Sequence, residues 1–342
     1  MRFLPIGEIT EKMFLAHSIF SNNGKILLKK GTRLIPSYVS RLQELKYSHL
    51  YVYESEDEQW NCTGLISDRI RSQAMQILWD SLIRAIERKP LDPQQITFVV
   101  EDIIREIHHK DDCLFALIDL KTPDNYLYNH SLNVCILSIL IAKELQLEWE
   151  DLKDLAIGAY LHDIGKVYMK SSLKQIQVLS SSDTALVKQY PKKGFEILRA
   201  VPGFSSKIAT IAYQHQERED GSGYPLGLIS RDIILLSKIV AVTDSFDAMV
   251  SERGYKEPVW PDQALRELQE LSPAKYDRQV VKALQRSVAT YPVGSVVQLS
   301  DRQSAVIVDV TRTKTVVEYL SSRGNFQEID KDSSLKIEKR LA

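Results

Sequence analysis

Residues 152–166 read LKDLAIGAYLHDIGK, and this segment decides which class of fold the 342-residue chain forms. Apolar residues recur from Leu152 to Ala159 with the i, i+3, i+4, i+7 spacing of a buried helix face. The same face continues three and four residues later onto His162 and Asp163. The spacing therefore predicts a helix that turns an imidazole and a carboxylate toward the protein interior.

Three further predicted helices carry a histidine or an aspartate in line with an apolar stripe, at His130, His215 and Asp244. Each of these residues alone is more typical of a hydrogen-bonded core residue than of a ligand. Two buried carboxylates and three buried imidazoles together are costly unless a cation lies between them. Divalent metals supply that charge and are often held by His and Asp. The convergence of the five side chains therefore predicts a metal site.

A second candidate site is the loop Asp220–Pro225, which reads DGSGYP. Two glycines before Tyr-Pro predict a tight, exposed turn. The segment is either a plain connection between helices or a rim whose backbone approaches a ligand closely and presents Tyr224 to a planar base. Local sequence leaves both interpretations open.

Outside this region the pattern changes at both ends of the chain. Near the N-terminus, an Asn-Asn-Gly turn separates a predicted strand at Met13–Phe20 from a returning strand at Ile26–Leu28. The sequence next predicts a helix at Ile35–Lys46 and a strand at His49–Tyr53. Further helices follow at Ile66–Arg88 and Pro93–His109, and three short β-branched runs lie between 296 and 319.

The predicted fold class is mainly α, with an all-helical metal-binding core, a small N-terminal α+β domain and a small β-rich C-terminal appendage. Four units are expected along the chain. They are a small α+β accessory domain at 1–60, a helical linker at 61–112, the helical catalytic-type domain at 113–288 and the β-rich appendage at 289–342.

Composition excludes several classes of protein. The net charge is -1, so no global field attracts nucleic acid or a membrane surface, and no DNA partner is expected. The longest apolar runs are too short to span a bilayer. Three scattered cysteines form neither a disulfide framework nor a CxxC metal site, which favours a reducing, cytoplasmic location.

Four segments carry a resemblance to a known family. They are YLYNHSLNV at 126–134, HDIGK at 162–166, EREDGSGYPLGL at 217–228 and IVAVTDSFDA at 239–248. In this order and spacing they resemble the HD-GYP domain, a branch of the HD metal-dependent phosphohydrolases. The resemblance covers about residues 115–285. The units before and after it are also similar to small domains that accompany HD-GYP domains in bacterial proteins.

The resemblance implies a helical domain with two or three metal ions, usually iron or manganese, that hydrolyses the bacterial second messenger cyclic di-GMP to the linear dinucleotide or on to GMP. It also implies a role for each matching residue. His130, His162, Asp163 and Asp244 would hold one metal, Asp163 and His215 a second, Lys166 a scissile phosphate, Tyr224 the substrate, and Arg253 and Lys256 a phosphate or guanine.

Two positions depart from the family pattern, because Tyr190 and Gln216 stand where the resemblance leads us to expect histidine ligands of the second metal. A glutamine offers only a neutral carbonyl oxygen. A tyrosine with a pKa near 10 binds as phenolate at a cost of about 4 kcal/mol at pH 7. We therefore expect one intact metal site and a weak or empty second site.

Three functions stay open on the sequence. The first is a cyclic di-GMP phosphodiesterase, supported by HDIGK and the intact GYP loop. The second is a degenerate relative that binds cyclic di-GMP or a signalling-protein partner without hydrolysis, supported by Tyr190 and Gln216. The third is a hydrolase of another nucleotide or phosphoester. The two long helices at Ile66–Arg88 and Pro93–His109 either pack within one chain or pair between subunits. The second alternative makes a homodimer a further expectation.

Overall fold

The computed structural model describes residues 2–54, 64–110, 114–115, 126–169, 187–251, 259–322 and 324–341. The predicted substrate contacts Arg253 and Lys256 lie outside these residues, as do residues 61–63 at the start of the predicted helical linker. The described part confirms the predicted fold class, since a helical core stands between an N-terminal α+β unit and a C-terminal sheet. No helix in the described ranges is both long and apolar enough to cross a membrane.

The N-terminal unit contains two small sheets and one helix. Its strands are β1 (Arg2–Pro5), β2 (Phe14–Leu15), β3 (Ile19–Phe20), β4 (Ile26–Leu28) and β5 (His49–Tyr53), and its helix is α1 (Pro36–Glu44). The predicted single strand at Met13–Phe20 is wrong. Its first half pairs with β5 in the sheet β1-β5-β2, whereas its second half pairs with β4 in a hairpin, so the chain changes partner between them.

Two long helices, α2 (Asp68–Ile86) and α3 (Pro93–His108), follow this unit. The turn of the β3–β4 hairpin rests on α2, because the Ser72 hydroxyl donates a 2.6 Å hydrogen bond to the Gly24 carbonyl. Gly24 has φ +76°, and a β-carbon there would lie 2.4 Å from the Ser72 carbonyl oxygen. On the opposite side, the apolar residues of α2 and α3 belong to the same core as the helices that follow.

The remaining helices form the central core. They are α4 (Tyr126–Glu144), α5 (Trp149–Leu161), α6 (Tyr190–Arg199), α7 (Ser206–Gln214), α8 (Leu235–Val250), α9 (Pro261–Leu271) and α10 (Arg278–Ser287), with a 3-10 turn at Ile164–Tyr168. Gly158 lets α5 approach α7, since a β-carbon there would lie 2.4 Å from Cδ1 of Ile211. This close approach brings the C-terminal ends of α5 and α7 together.

The C-terminal unit is a five-stranded antiparallel sheet. Its strands are β6 (Val296–Leu299), β7 (Ser304–Val310), β8 (Lys314–Tyr319), β9 (Phe326–Asp330) and β10 (Ile337–Arg340), in the order β10-β6-β7-β8-β9. The first three match the predicted runs. An ion pair connects the sheet to the helices, because Glu144 at the end of α4 contacts Arg312, which lies between β7 and β8, at 3.1 Å. Glu144 also contacts Arg286 of α10 at 2.9 Å.

Candidate metal centre

The predicted metal ligands all lie in the helical core. His162 follows the last residue of α5, His215 follows the last residue of α7, His130 lies near the start of α4 and Asp244 in the middle of α8. The three imidazoles are fully buried, and Asp163 and Asp244 are 2% and 7% exposed. Five polar side chains thus share one buried position, which the convergence of their apolar stripes predicts.

Their ligand atoms lie close together around Asp163. Its carboxylate oxygens are 3.6 Å from Nε2 of His130, 3.4 Å from Nε2 of His162 and 3.7 Å from Nε2 of His215. Asp244 completes the cluster, with Oδ1 3.0 Å from Nε2 of His130 and 3.9 Å from Nε2 of His162. Every imidazole therefore points the same nitrogen at the two carboxylates.

The donor atoms fit a divalent ion. Within the described residues, Nε2 of His162 and Oδ1 of Asp163 are buried without a hydrogen-bond partner. Two overlapping sets of three donors lie within 4.8 Å of one another, His130–His162–Asp163 and His162–His215–Asp244. Orphaned buried lone pairs are rare in proteins unless an ion or a water satisfies them, and imidazole with carboxylate suits first-row divalent metals.

Hydrogen bonds at Nδ1 determine the tautomers of His162 and His215, and so the state of the Nε2 atoms that face the cluster. Nδ1 of His162 lies 2.7 Å from the Ala159 carbonyl, and Nδ1 of His215 lies 2.9 Å from the Ala212 carbonyl. Both carbonyls belong to last turns of helices, where backbone acceptors are left over. A carbonyl can only accept, so Nδ1 carries the hydrogen and Nε2 keeps its lone pair for the cluster.

His130 is oriented by Asp247, a residue that sequence reasoning missed. Nδ1 of His130 lies 2.7 Å from Oδ2 of Asp247, which also accepts from the Ser251 hydroxyl at 3.2 Å, while Oδ1 accepts from the Asn133 amide at 3.0 Å. Asp247 is fully buried. The signal was present, because Asp247 follows Asp244 by three residues and shares its helix face.

Replacing Asp247 with asparagine is expected to weaken metal binding about 10- to 100-fold, the usual effect of losing a carboxylate behind a ligating histidine. The amide no longer stabilises the donor form of Nδ1 as a charge does. Competition with a chelator measures the change. Ser251→Ala, which removes one bond to the same carboxylate, serves as the milder control, and unaltered affinity in Asp247→Asn would contradict the orienting role.

The electrostatics of the cluster favour a positive charge at its centre. Burial lowers the pKa of His162, but the carboxylate of Asp163 outweighs it and the pKa is raised. Burial raises the pKa of Asp163, but His162 and Lys166 outweigh it and hold that pKa well below its usual value. Asp244 behaves likewise, since burial is outweighed by its contact with His130. The cluster therefore attracts a cation.

Tyr190 and Gln216 also lie at the cluster. Oη of Tyr190 lies 2.9 Å from Nε2 of His215, and the Gln216 amide donates to Oδ2 of Asp244 at 2.7 Å. Burial, with Asp163 nearby, raises the pKa of Tyr190 well above its usual value. Burial also lowers the pKa of His215. A neutral phenol thus meets a neutral imidazole, and the hydroxyl donates to Nε2.

Lys166 lies at the edge of the cluster. Its ammonium is 2.5 Å from Oδ2 of Asp163 and 5.0 Å from the centre of the Tyr190 ring, and its side chain is 28% exposed. A cation that is partly exposed to water and bonded to the central carboxylate is placed to meet an anionic group entering from solvent.

Glu217, which received no role from the sequence, holds the GYP loop in place. Its carboxylate accepts from the backbone amides of Leu226 at 2.7 Å and Leu228 at 3.0 Å, and the residue is 2% exposed. The loop turns back so tightly that a β-carbon on Gly223 would lie 2.4 Å from the amide nitrogen of Arg218. Among the described residues, this fold-back makes the loop one wall of the site.

Tyr224 is brought to the metal cluster by this loop. Its ring is half-buried beside Tyr190, and the Lys188 ammonium lies 5.7 Å from the ring centre. Burial, together with the charge of Asp244, raises the pKa of Tyr224 to about 12. Of the two interpretations of the loop, the geometry favours a rim at the site.

A Glu217→Gln variant is expected to raise the KM of the hydrolysis that the family resemblance implies about tenfold and to leave the metal content unchanged. A glutamine keeps one acceptor oxygen but turns an NH2 toward the second backbone amide, and an unsatisfied buried amide costs about 1–3 kcal/mol. Steady-state kinetics and metal analysis measure both effects. Asp220→Asn, on the exposed side of the loop, is the control. Loss of metal in Glu217→Gln would show that Glu217 acts on the centre instead.

Comparison with known proteins places these features in a family. The HD domain model matches residues 113–280. A cyclic di-GMP phosphodiesterase of Pseudomonas aeruginosa is 30% identical over 74% of this chain and 60% of its own length. A cyclic di-GMP phosphodiesterase of Thermotoga maritima is 33% identical over 64% of this chain and 60% of its own length. A 3'3'-cGAMP-specific phosphodiesterase of Vibrio cholerae is 30% identical over 85% of this chain and 57% of its own length.

The chain therefore spans about 60% of the length of these relatives. The match covers the helices that carry the metal cluster and the loop with Tyr224. The resemblance of the four sequence motifs is confirmed at the level of the HD domain: residues 113–280 of this chain belong to that family.

Proposed function

We propose that this chain is a metal-dependent phosphodiesterase that hydrolyses cyclic di-GMP to the linear dinucleotide, to GMP, or to both, in bacterial second-messenger signalling. The observation that carries the proposal is the buried group of three imidazoles and two carboxylates, with the ammonium of Lys166 bonded to the central carboxylate. The relatives named cyclic di-GMP phosphodiesterases support this choice of substrate.

The cofactor in this proposal is divalent iron or manganese, held by His130, His162, Asp163 and Asp244. The imidazole nitrogens and carboxylate oxygens of this set suit both metals. When bound, the ion lowers the pKa of water and neutralises negative charge at phosphorus. The protein contributes a site from which the described side chains exclude bulk solvent, and this makes each charge more effective.

The remaining proposed roles concern the substrate. Lys166 neutralises a non-bridging oxygen of the scissile phosphate, and its bond to Asp163 fixes the ammonium in the direction of the cluster. Tyr224 stacks on a guanine at the rim of the site. Arg253 and Lys256 are proposed contacts to a second phosphate or guanine, on the sequence motif alone.

A second candidate function is a cyclic dinucleotide-binding module without hydrolysis. It is favoured by the bonds of Tyr190 to His215 and of Gln216 to Asp244, which engage potential metal donors. The Vibrio cholerae relative is named for 3'3'-cGAMP, so that nucleotide is the natural second substrate to test.

Turnover of cyclic di-GMP and 3'3'-cGAMP by protein loaded with iron or manganese without oxygen tests the proposal, with chromatography of the products. We expect linear dinucleotide or GMP from the parent chain and none from Asp163→Asn. Binding of either nucleotide without product would support the binding module instead. If the chain neither binds these nucleotides nor forms product, both functions are contradicted.

The domain boundaries, the role of the N-terminal unit, the oligomeric state and the location are proposed from the sequence alone. The four units keep the boundaries given above, and the N-terminal unit docks a signal or a protein partner. A homodimer and a cytoplasmic location also belong to the proposal.

A further inference from the structure

We infer that the centre holds a single divalent ion, and that hydrogen bonds from Tyr190 and Gln216 occupy the donor atoms on the side where a second ion would bind. The inference rests on the proposed function only in taking the centre to be metal-loaded. In this arrangement, Tyr190 and Gln216 form the hydrogen bonds that complete the polar network of the cluster, in place of a second metal ion.

The first part of the network is the contact between Tyr190 and His215. The Ala212 carbonyl fixes the hydrogen of His215 on Nδ1, so Nε2 has a single lone pair. The Tyr190 hydroxyl, 2.9 Å away, donates to that lone pair. An imidazole whose lone pair is taken by a hydroxyl is not a ligand. His215 therefore lies at the cluster without serving the ion.

The second part is the contact between Gln216 and Asp244. The Gln216 side chain turns its nitrogen, not its carbonyl oxygen, toward the site, and this nitrogen donates to Oδ2 of Asp244 at 2.7 Å. The other oxygen, Oδ1, faces His130 at 3.0 Å. One carboxylate oxygen is thus left for an ion on the His130 side, and the other is engaged by an amide.

The charges of the cluster agree with one ion. Asp163, Asp244 and Asp247 contribute three carboxylates, each with an oxygen within 3.6 Å of an imidazole nitrogen, and Lys166 contributes one ammonium bonded to Asp163. One divalent ion balances the remaining two negative charges. A second divalent ion would leave excess positive charge among buried side chains, which is unfavourable. The ammonium thus stands in for the second cation.

The positions of the donors agree as well. Within the described residues, Nε2 of His162, which belongs to both donor sets, and Oδ1 of Asp163 have no hydrogen-bond partner. In the set with His215, the Tyr190 hydroxyl forms a hydrogen bond with His215 and the Gln216 amide donates a hydrogen bond to Asp244. Two of the three metal-binding side chains in the set with His215 are therefore engaged by hydrogen bonds.

Metal counting on the full chain tests the inference without any activity measurement. Metal-free protein is loaded with Mn²⁺, desalted and analysed by elemental mass spectrometry. We expect one ion per chain in the parent and two in the double variant Tyr190→His with Gln216→His. The control, Tyr190→Phe with Gln216→Ala, removes the same hydrogen bonds but adds no ligand, so it is expected to keep one ion.

Each outcome separates the hypotheses. Two ions in the parent would overturn the inference and leave the proposed function standing, whereas no ion in the parent would overturn both. One ion in the histidine double variant would overturn the assignment of Tyr190 and Gln216 to a second site. The electron paramagnetic resonance spectrum of the Mn²⁺ protein gives an independent count, since an isolated ion and a coupled pair differ.

A third readout works even if the histidine double variant does not fold. The parent is loaded with iron and oxidised, and its visible spectrum is recorded. A tyrosine bound to iron(III) gives an intense phenolate-to-metal absorption band. We expect no such band, because Tyr190 donates to His215. A band that disappears in Tyr190→Phe would make Tyr190 a ligand and would overturn the inference.

Discussion

An Asp163→Asn variant is expected to fold, to lose its bound metal and to lose cyclic dinucleotide hydrolysis by about a thousandfold or more, the scale on which metal and electrostatic terms contribute to catalysis. The carboxylate of Asp163 lies within 3.7 Å of Nε2 of His130, His162 and His215. An amide has nearly the same shape, so packing is kept. It lacks the negative charge that both the ion and the Lys166 ammonium need.

Thermal unfolding provides the physical measurement for Asp163→Asn. A ligand that binds only the folded chain stabilises it by RT ln(1 + [L]/Kd), or about 4 kcal/mol at a thousand times Kd. We expect added Mn²⁺ to raise the melting temperature of the parent and to leave that of the variant unchanged.

Asp154→Asn is the matched control for Asp163→Asn. Asp154 is a buried carboxylate on α5, the helix that ends just before His162 and Asp163, but it is bonded to Ser205 and lies outside the metal cluster. Its replacement should preserve the metal effect. If Asp163→Asn kept full metal content and turnover, the central position of Asp163 in the site would be wrong.

A Gly165→Ala variant is expected to lose about 3 kcal/mol of unfolding free energy and much of its activity, since overpacking against rigid atoms falls at the high end of such changes. A β-carbon there would lie 2.0 Å from the carbonyl oxygen of Tyr190 and 2.6 Å from the amide nitrogen of Gly194. Both atoms are backbone and cannot rotate away. The 3-10 turn and α6 must separate, which displaces Lys166 from the cluster.

Urea unfolding with activity measured on the folded fraction tests Gly165→Ala. Gly7→Ala is the control, because nothing lies within 4 Å of a β-carbon at Gly7. That change is expected to alter stability by less than about 0.5 kcal/mol. Equal stability of the two variants would contradict the close packing of the HDIGK turn on α6.

The helices and the clustering of the candidate metal ligands were predictable because their signal is local. The stripe that runs from Leu152 into His162 and Asp163 needs only helix geometry to place both side chains on the buried face. The strands were less predictable. Met13–Phe20 is one extended run in sequence but serves two sheets. The strand Phe326–Asp330 is almost wholly exposed, so no apolar alternation marks it.

The parts of the site that escaped prediction depend on contacts between distant elements. Whether Tyr190 donates to His215 depends on how α6 lies against α7, and no pattern within either helix determines that. The carboxylate of Glu217 acts on amides nine and eleven residues further along, after the loop has turned back. Arg253 and Lys256 lie outside the described residues, so their roles stay predictions.

The packing of α2 and α3 has a practical consequence for anyone who wishes to express the HD domain alone. Six apolar side chains of α3 are completely buried in the same core as α5: Ile96, Val99, Val100, Ile103, Ile104 and Ile107. A fragment that starts at residue 113, where the family match begins, leaves that face of α5 in water. Exposed apolar surface of this kind causes aggregation. A fragment meant to stay in solution should therefore start before α2, near residue 64.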